Sequence, residues 1–155
     1  MRSNRKESKR RKRTIRVWSY EEAVAAAPYI ANVVQSLREH WLEAAAKREK
    51  AAHLDNRPGR PDRALLIAKA EAEREAQEAE KRYLEARAEL LALDIYSIEP
   101  ARGEALVGFV HENQLAWFIF DLFEPRHYRY WRYHNDPLDT RRMIGDVIEP
   151  RAKSA

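Results

Sequence analysis

The chain of 155 residues has no cysteine and contains only four glycines and two methionines. Disulfides and thiolate metal sites are therefore excluded. No apolar stretch approaches the roughly 20 residues that a membrane-spanning helix needs, and no apolar segment of a secretory signal follows the basic N-terminus. We therefore expect a protein that has no membrane contact and resides in the cytoplasm.

The sequence also lacks the short motifs that are typical of common catalytic and ligand-binding sites. It contains no HExxH pair for zinc, no glycine-rich phosphate loop and no serine nucleophile elbow. Nothing else in the sequence calls for a bound cofactor, so none is expected. These absences favour a non-catalytic protein.

Charge is abundant, at 35% of the residues, and it is divided by sign. Residues 1–16 hold nine Lys or Arg against the single acidic residue Glu7, whereas the remainder carries 20 basic and 24 acidic residues. The formal net charge of +4 therefore arises from the N-terminal arm. The rest of the chain is mildly acidic.

Residues 1–13 contain no apolar residue after Met1, which predicts a disordered basic arm. Each Lys or Arg that neutralises a phosphate releases counterions, so such arms bind polyanions without sequence preference. We therefore interpret the arm as a contact for RNA, DNA or the ribosome. Its candidate contact residues are Arg5, Lys6, Lys9, Arg10, Arg11, Lys12 and Arg13. The alternatives are a solubilising arm and a sequence that precedes the true start codon.

Two long segments, residues 19–54 and 62–94, repeat inward-facing positions at alternating steps of four and three, which is typical of a coiled-coil seam. The first series is Ile30, Val34, Leu37, Trp41, Ala44, Arg48 and Ala51, and the second is Leu65, Lys69, Ala72, Ala76, Ala79, Tyr83, Ala86, Leu90 and Leu93. A proline-rich and glycine-containing loop at residues 56–61 separates them. The pattern predicts a long antiparallel helical hairpin.

The start of the first helix carries its own signals. Ser19 and Glu22 have the spacing of a capping box. Pro28, which lacks an amide hydrogen, predicts a kink or a new helix start. Before the cap, residues 14–18 alternate as a short strand would, with Ile15 and Val17 on one face.

Three β-rich segments follow, at residues 105–110, 115–121 and 127–133, and predict a three-stranded antiparallel meander. Strict alternation in the last segment places Tyr128 and Trp131 on opposite faces. A small sheet cannot bury so many aromatic residues alone, so we expect it to pack on the base of the hairpin. The prediction is one α+β domain at residues 14–150, with the meander and a closing segment at 103–146.

Two clusters of polar residues invite a functional interpretation. Around the meander turns, hard-oxygen and imidazole groups could hold a metal or act as acid and base: Asp121, Glu124, His127, His134 and Asp136. Basic and aromatic residues interleave in a second cluster: Arg129, Trp131, Arg132, Arg141 and Arg142. This second set suits stacking on bases with phosphate contacts, but it is more typical of a core strand whose arginines pair with carboxylates.

Some of these segments resemble a known family. The run Trp18-Ser19-Tyr20-Glu21-Glu22-Ala23, with Pro28 following, is similar to the opening of the bacterial domain of unknown function 2203. The segment 103–109, the strand 115–121, Trp131 and the pair Arg141-Arg142 resemble its second block. The resemblance implies a helical hairpin with a sheet and a bacterial origin, but no activity. Where that family commonly has Trp-His-Glu, this chain has Trp131-Arg132-Tyr133, so a role for that histidine would be lost or moved to His134.

The sequence thus predicts a non-catalytic interaction module with a basic arm for nucleic acid or ribosome contact. Two alternatives stay open. One is a small metal-binding or acid-base enzyme that uses the Asp/Glu/His cluster of the meander. The other is a structural homodimer formed through the coiled-coil-like hairpin, because an exposed two-helix seam often completes a four-helix bundle.

Overall fold

The computed structural model describes residues 14–148, so the basic arm predicted at residues 1–13 lies outside the described residues. Two long helices precede a small antiparallel sheet, and the predicted α+β class is confirmed. The elements are α1 (Tyr20–Asp55), α2 (Arg63–Leu91), a 3-10 turn (Pro100–Arg102), β1 (Glu104–His111), β2 (Gln114–Asp121), β3 (Tyr128–Tyr133), β4 (Arg142–Met143) and α3 (Gly145–Ile148).

Helix α1 begins at the predicted capping box. The Ser19 hydroxyl accepts from the Glu22 amide at 3.1 Å, and the Glu22 carboxylate accepts from the Ser19 amide at 3.4 Å. The helix continues through Pro28 to Asp55, so a new helix start at the proline is excluded. A proline removes one backbone hydrogen bond from a helix, and the buried neighbours Ala27 and Ile30 hold this segment against the core.

Helices α1 and α2 form the predicted hairpin and run antiparallel. Contacts from residues further along α1 reach residues progressively earlier in α2: the Tyr29 hydroxyl donates to Glu89, and Lys47 pairs with Glu75 at 3.3 Å. Most of the predicted seam is buried, as shown by Ile30, Val34, Leu37, Ala51, Ala72, Ala76, Ala79, Ala86 and Leu90. Small alanines on α2 let the two helices approach closely.

The sheet has four antiparallel strands in the order β1-β2-β3-β4, one more than predicted. The added strand β4 is only two residues long and pairs Arg142 with Trp131, so it is too short to show any periodicity. Residues 14–18, in contrast, do not form the predicted strand. The Trp18 amide donates to the Gly108 carbonyl at 2.7 Å, but the Arg16 amide donates to the Asp94 side chain and so leaves no backbone ladder.

A register shift in β3 corrects the predicted direction of its side chains. Ile119 pairs with Tyr130 and Phe120 pairs with Tyr128, so Arg129 is an extra residue that has no partner on β2. Such a β-bulge reverses the alternation of a strand. Tyr128 and Trp131 therefore both face the core, and their predicted placement on opposite faces is wrong.

The core lies where the hairpin base meets the sheet. Phe109 and Phe118 stack with ring centroids 3.8 Å apart, and Trp131 meets Phe109 edge-on. The Tyr128 hydroxyl donates to the Ala23 carbonyl of α1 at 2.8 Å, which ties the sheet to the helix. The buried alanines of the distal hairpin, such as Ala72, lie outside this core. The hairpin is therefore a stalk that extends from a compact base.

No helix within residues 14–148 combines the length and the apolar character required to cross a membrane.

A comparison within α2 tests this division between core and stalk surface. Leu90 is 1% exposed and Leu66 is 54% exposed. Leu90→Ala should lower the free energy of unfolding by about 2–5 kcal/mol, because it leaves a cavity in the core. Leu66→Ala should change it by less than about 0.5 kcal/mol. Urea unfolding measures both, and equal losses would contradict the assignment of Leu90 to the core and Leu66 to the surface of the stalk.

The buried Tyr128 predicts a dependence of stability on alkaline pH. Burial raises the pKa of its phenol far above the ordinary value, and the neighbouring Tyr20 acts in the same direction. Above about pH 10 the unfolded chain releases this proton while the folded protein keeps it, so stability falls as the pH rises. Between about pH 9 and about pH 11, wild type should therefore lose more stability in urea unfolding than Tyr128→Phe. Parallel pH profiles would refute the assignment.

Candidate functional site

The sheet turns one face toward the hairpin base, and we call the opposite one the outer face. Leu106 on β1, Trp117 and Ile119 on β2 and Arg132 on β3 belong to it, because they alternate with the core residues and pair with one another across the strands. Trp117 and Ile119 are buried although they point away from the main core. The chain must therefore cover the outer face.

Two connecting segments cover part of this face and border a cavity of about 190 Å³. Residues 98–105 form one side and residues 138–141 the other. The apolar part of the lining includes Ile98, Leu106, Ile119 and Leu138. The charged part consists of Glu99, Arg102, Glu104, Arg132, Asp139 and Arg141. The cavity thus combines an aliphatic wall with charges of both signs.

The wall formed by residues 98–105 depends on a glycine. Gly103 ends the 3-10 turn with φ at +69°, a conformation that favours glycine. A Cβ added there would also lie 3.0 Å from the Cβ of Leu122. On the helix side, the Arg38 side chain donates to the Ala101 carbonyl at 2.9 Å. The part of the wall from Ala101 to Gly103 is therefore fixed in place.

Arg132 is the buried charge of the site, with 4% of its surface exposed. Its Nη1 donates to the carbonyls of Tyr133 at 3.2 Å and His134 at 3.4 Å. Burial lowers the pKa of this guanidinium from its ordinary value, and the nearby Arg141 also lowers it, whereas Asp136 opposes the change. Within residues 14–148, no carboxylate forms an ion pair with Arg132.

The other residues of the predicted basic and aromatic cluster are divided among three places. Trp131 is buried on the core face, and its Nε1 donates to the Met143 carbonyl at 3.2 Å. Arg129 is exposed at the bulge and pairs with Glu124 at 3.4 Å. Arg141 joins Arg132 at the cavity and pairs with Glu104 at 3.5 Å. The cluster is therefore not one continuous surface.

Arg142, the last member, forms a two-point ion pair with Asp136. Its Nε and Nη2 donate to the two carboxylate oxygens at 2.8 and 3.0 Å. The same carboxylate accepts the Tyr133 amide at 2.8 Å. The hydrogen bond from Arg142 is the largest cause that lowers the pKa of Asp136. Asp136 thus fixes the end of β3 rather than facing a cavity.

The remaining residues of the predicted metal cluster also have structural partners. Asp121 accepts the Phe123 amide at 2.9 Å, and the His127 Nδ1 lies 3.0 Å from the Asp121 carbonyl oxygen. The His134 Nδ1 receives the Trp117 indole N–H at 3.1 Å. Over residues 14–148, no three or more His, Cys, Asp or Glu residues come together in a group that could hold a metal ion.

Sequence reasoning missed most of the cavity. Ile98, Leu138 and Asp139 lie in connections without any periodic pattern, and only the fold brings them over the sheet. One signal for the burial of Arg132 was available in the sequence. Because β2 is apolar on both faces, its outer face must be covered, and so must the residues that pair with it there. Arg132 is such a residue, since it pairs with Trp117.

Comparisons with known proteins do not assign a role to this cavity. No protein-family model, curated protein or solved structure matches the chain. The resemblance to the domain of unknown function 2203 and the bacterial origin that it implies therefore stay predictions. The chemistry of the site must be argued from its geometry.

The lowered pKa of Asp136 predicts how stability changes with acid pH. Its carboxylate contributes stability at neutral pH, and this contribution is lost as the pH falls through the lowered pKa. Asp136→Asn should therefore lower the melting temperature at neutral pH, and the difference from wild type should shrink in acid. Asp139→Asn is the matched control, because Asp139 is exposed and forms no ion pair within residues 14–148. A constant difference across pH would contradict this role.

Proposed function

We propose that the protein is a non-catalytic interaction module that contacts RNA or DNA, free or within the ribosome, through the basic arm of residues 1–13. The observation that carries the proposal is the separation of charge along the chain. Eight of the first 13 residues are Lys or Arg, whereas the chain from residue 17 onward carries more acidic than basic side chains. Contact with a polyanion is therefore expected to concentrate in the arm.

Counterion release explains why such an arm binds. Each phosphate that a Lys or Arg neutralises frees condensed cations, and the affinity falls steeply as salt is added. The acidic remainder of the chain repels a polyanion at low ionic strength, and this repulsion is screened within about 10 Å at 0.1 M salt. Binding should consequently depend on the number of charges in the arm and little on base sequence.

The attachment point of the arm supports this role. The Arg16 amide donates to Asp94 at 2.9 Å, and the Trp18 amide donates to Gly108 at 2.7 Å. The Arg16 guanidinium lies 3.8 Å from the centre of the Trp18 ring. These contacts fasten the chain beside the sheet, at the base of the stalk. A polyanion held by the arm would therefore leave the distal stalk free for a protein partner.

The hairpin has features of a partner surface. Leu66 and Leu84 are 54% and 49% exposed. They are 18 residues apart, about five helical turns, so they lie on one side of α2. Trp41, Ala44 and Tyr83 line an open groove between the two helices. The homodimer predicted through this hairpin stays a prediction, which sedimentation equilibrium of the full chain tests.

Salt-dependent binding tests the role of the arm. The full chain, a chain without residues 2–13 and a chain with every arm Lys and Arg replaced by Gln are compared on single-stranded RNA and duplex DNA. We expect the full chain alone to bind, with a slope of log K against log salt of about −0.7 to −0.9 per phosphate contact. Co-sedimentation with ribosomes extends the comparison.

An arm in which every Arg is replaced by Lys is the matched control, because it keeps the charge and removes only the guanidinium geometry. It should bind as the wild type does. Undiminished binding after deletion of residues 2–13 would contradict the assignment to the arm. Loss of binding in the Arg-to-Lys arm would contradict a purely electrostatic contact.

A further inference from the structure

We propose that the cavity on the outer face of the sheet is a binding site for a small organic monocarboxylate. The carboxylate pairs with the guanidinium of Arg132, and the hydrocarbon part lies against Ile98, Leu106 and Ile119. This inference is independent of the arm, because it rests on residues of the sheet and its connections.

The first step is the buried charge of Arg132, which has no carboxylate partner in direct contact within residues 14–148. A buried cation is costly unless an opposite charge and hydrogen bonds compensate it. Arg132 is 4% exposed, and within residues 14–148 only its Nη1 donates, to two backbone carbonyls. Its Nε and Nη2 donate to none of residues 14–148. A carboxylate in the cavity would accept from such nitrogens, in the geometry for which Arg is suited.

The second step is the charge around Arg132, which selects a monoanion. Arg102 pairs with Glu99 at 2.7 Å and Arg141 pairs with Glu104 at 3.5 Å, so two of the three cavity arginines already have carboxylate partners. Asp139 adds a further negative charge to the lining. The six charges of the lining therefore sum to zero, and Arg132 is the buried one among them that forms no ion pair within residues 14–148. A monocarboxylate would leave the cavity with one excess negative charge, whereas a phosphate dianion would leave two.

The third step is the size and the polarity of the cavity. The cavity of about 190 Å³ is smaller than the roughly 300 Å³ at which pockets for drug-sized ligands begin. Ile98, Leu106, Ile119 and Leu138 give it an aliphatic wall. The ligand should therefore be a short chain with one carboxylate at its end. Leu138 is 68% exposed, and this places it at the mouth of the site.

Titration by ¹H–¹⁵N NMR of the full chain tests the site with pentanoate as the probe. Pentanol, which has the same chain without the charge, and inorganic phosphate are the comparison ligands. We expect pentanoate to shift the amides of Leu106, Ile119 and Arg132 saturably, with a dissociation constant in roughly the millimolar range. Pentanol should cause no saturable shift. Phosphate that binds as tightly as pentanoate would overturn the assignment to a monocarboxylate.

Variants then assign the contact. Arg132→Met should weaken pentanoate binding about tenfold or more, since it removes the cation from the cavity. Arg129→Met is its matched control on the same strand, because Arg129 pairs with Glu124 outside the cavity. It should bind pentanoate as the wild type does. Wild-type affinity in Arg132→Met would overturn the proposal.

A second pair keeps the test decisive if Arg132→Met fails to fold. Leu138→Glu adds a negative charge at the exposed mouth without altering the core, and it should also weaken pentanoate binding severalfold. Leu138→Gln, of similar size and without charge, should retain more affinity than Leu138→Glu. Equal affinities for these two variants, or no saturable shift in wild type, would overturn the proposed site.

Discussion

One extra residue in β3 determines which chemistry each face of the sheet carries. Because Arg129 has no partner on β2, the strand delivers Tyr128 and Trp131 to the same face, where both enter the core. Arg132, which follows Trp131 in regular alternation, lies on the opposite face beside Trp117. Without the bulge, strict alternation would place Tyr128 on the same face as Arg132. The hydrogen bond from the Tyr128 hydroxyl to α1 would then be lost.

The two covered faces of the sheet are stabilised by different means. The core face is closed by aromatic packing, as in the stacked pair Phe109 and Phe118, and by the hairpin base. The outer face is covered in part by two connections and contains a buried guanidinium beside an aliphatic wall. Apolar packing specifies the first face almost completely. The second contains a charge that the rest of the described chain only partly satisfies, and this is why it is the stronger candidate for ligand binding.

Periodicity predicted those parts of the fold that repeat over many residues. The seam from Ile30 to Leu90, the capping box at Ser19 and three strands follow from local pattern and cap chemistry. The features of the structure that differ from the prediction depend on single residues. A bulge at Arg129 and a strand of two residues at Arg142 leave no periodic trace, because their geometry is decided by what packs against them. The cavity could not be predicted for a related reason, since its walls come from connections.

The alanine seam of the stalk has a mechanical consequence. Short side chains such as Ala72 and Ala76 interlock weakly, so they offer little resistance when one helix slides along the other. Along the stalk, side chains that bridge the two helices oppose this sliding. One of them is Arg48, whose guanidinium pairs with the carboxylates of Glu73 at 2.9 Å and Glu80 at 3.0 Å. Ions in solution weaken exposed pairs of this kind. The resistance of the stalk to this sliding is therefore expected to fall as the ionic strength rises.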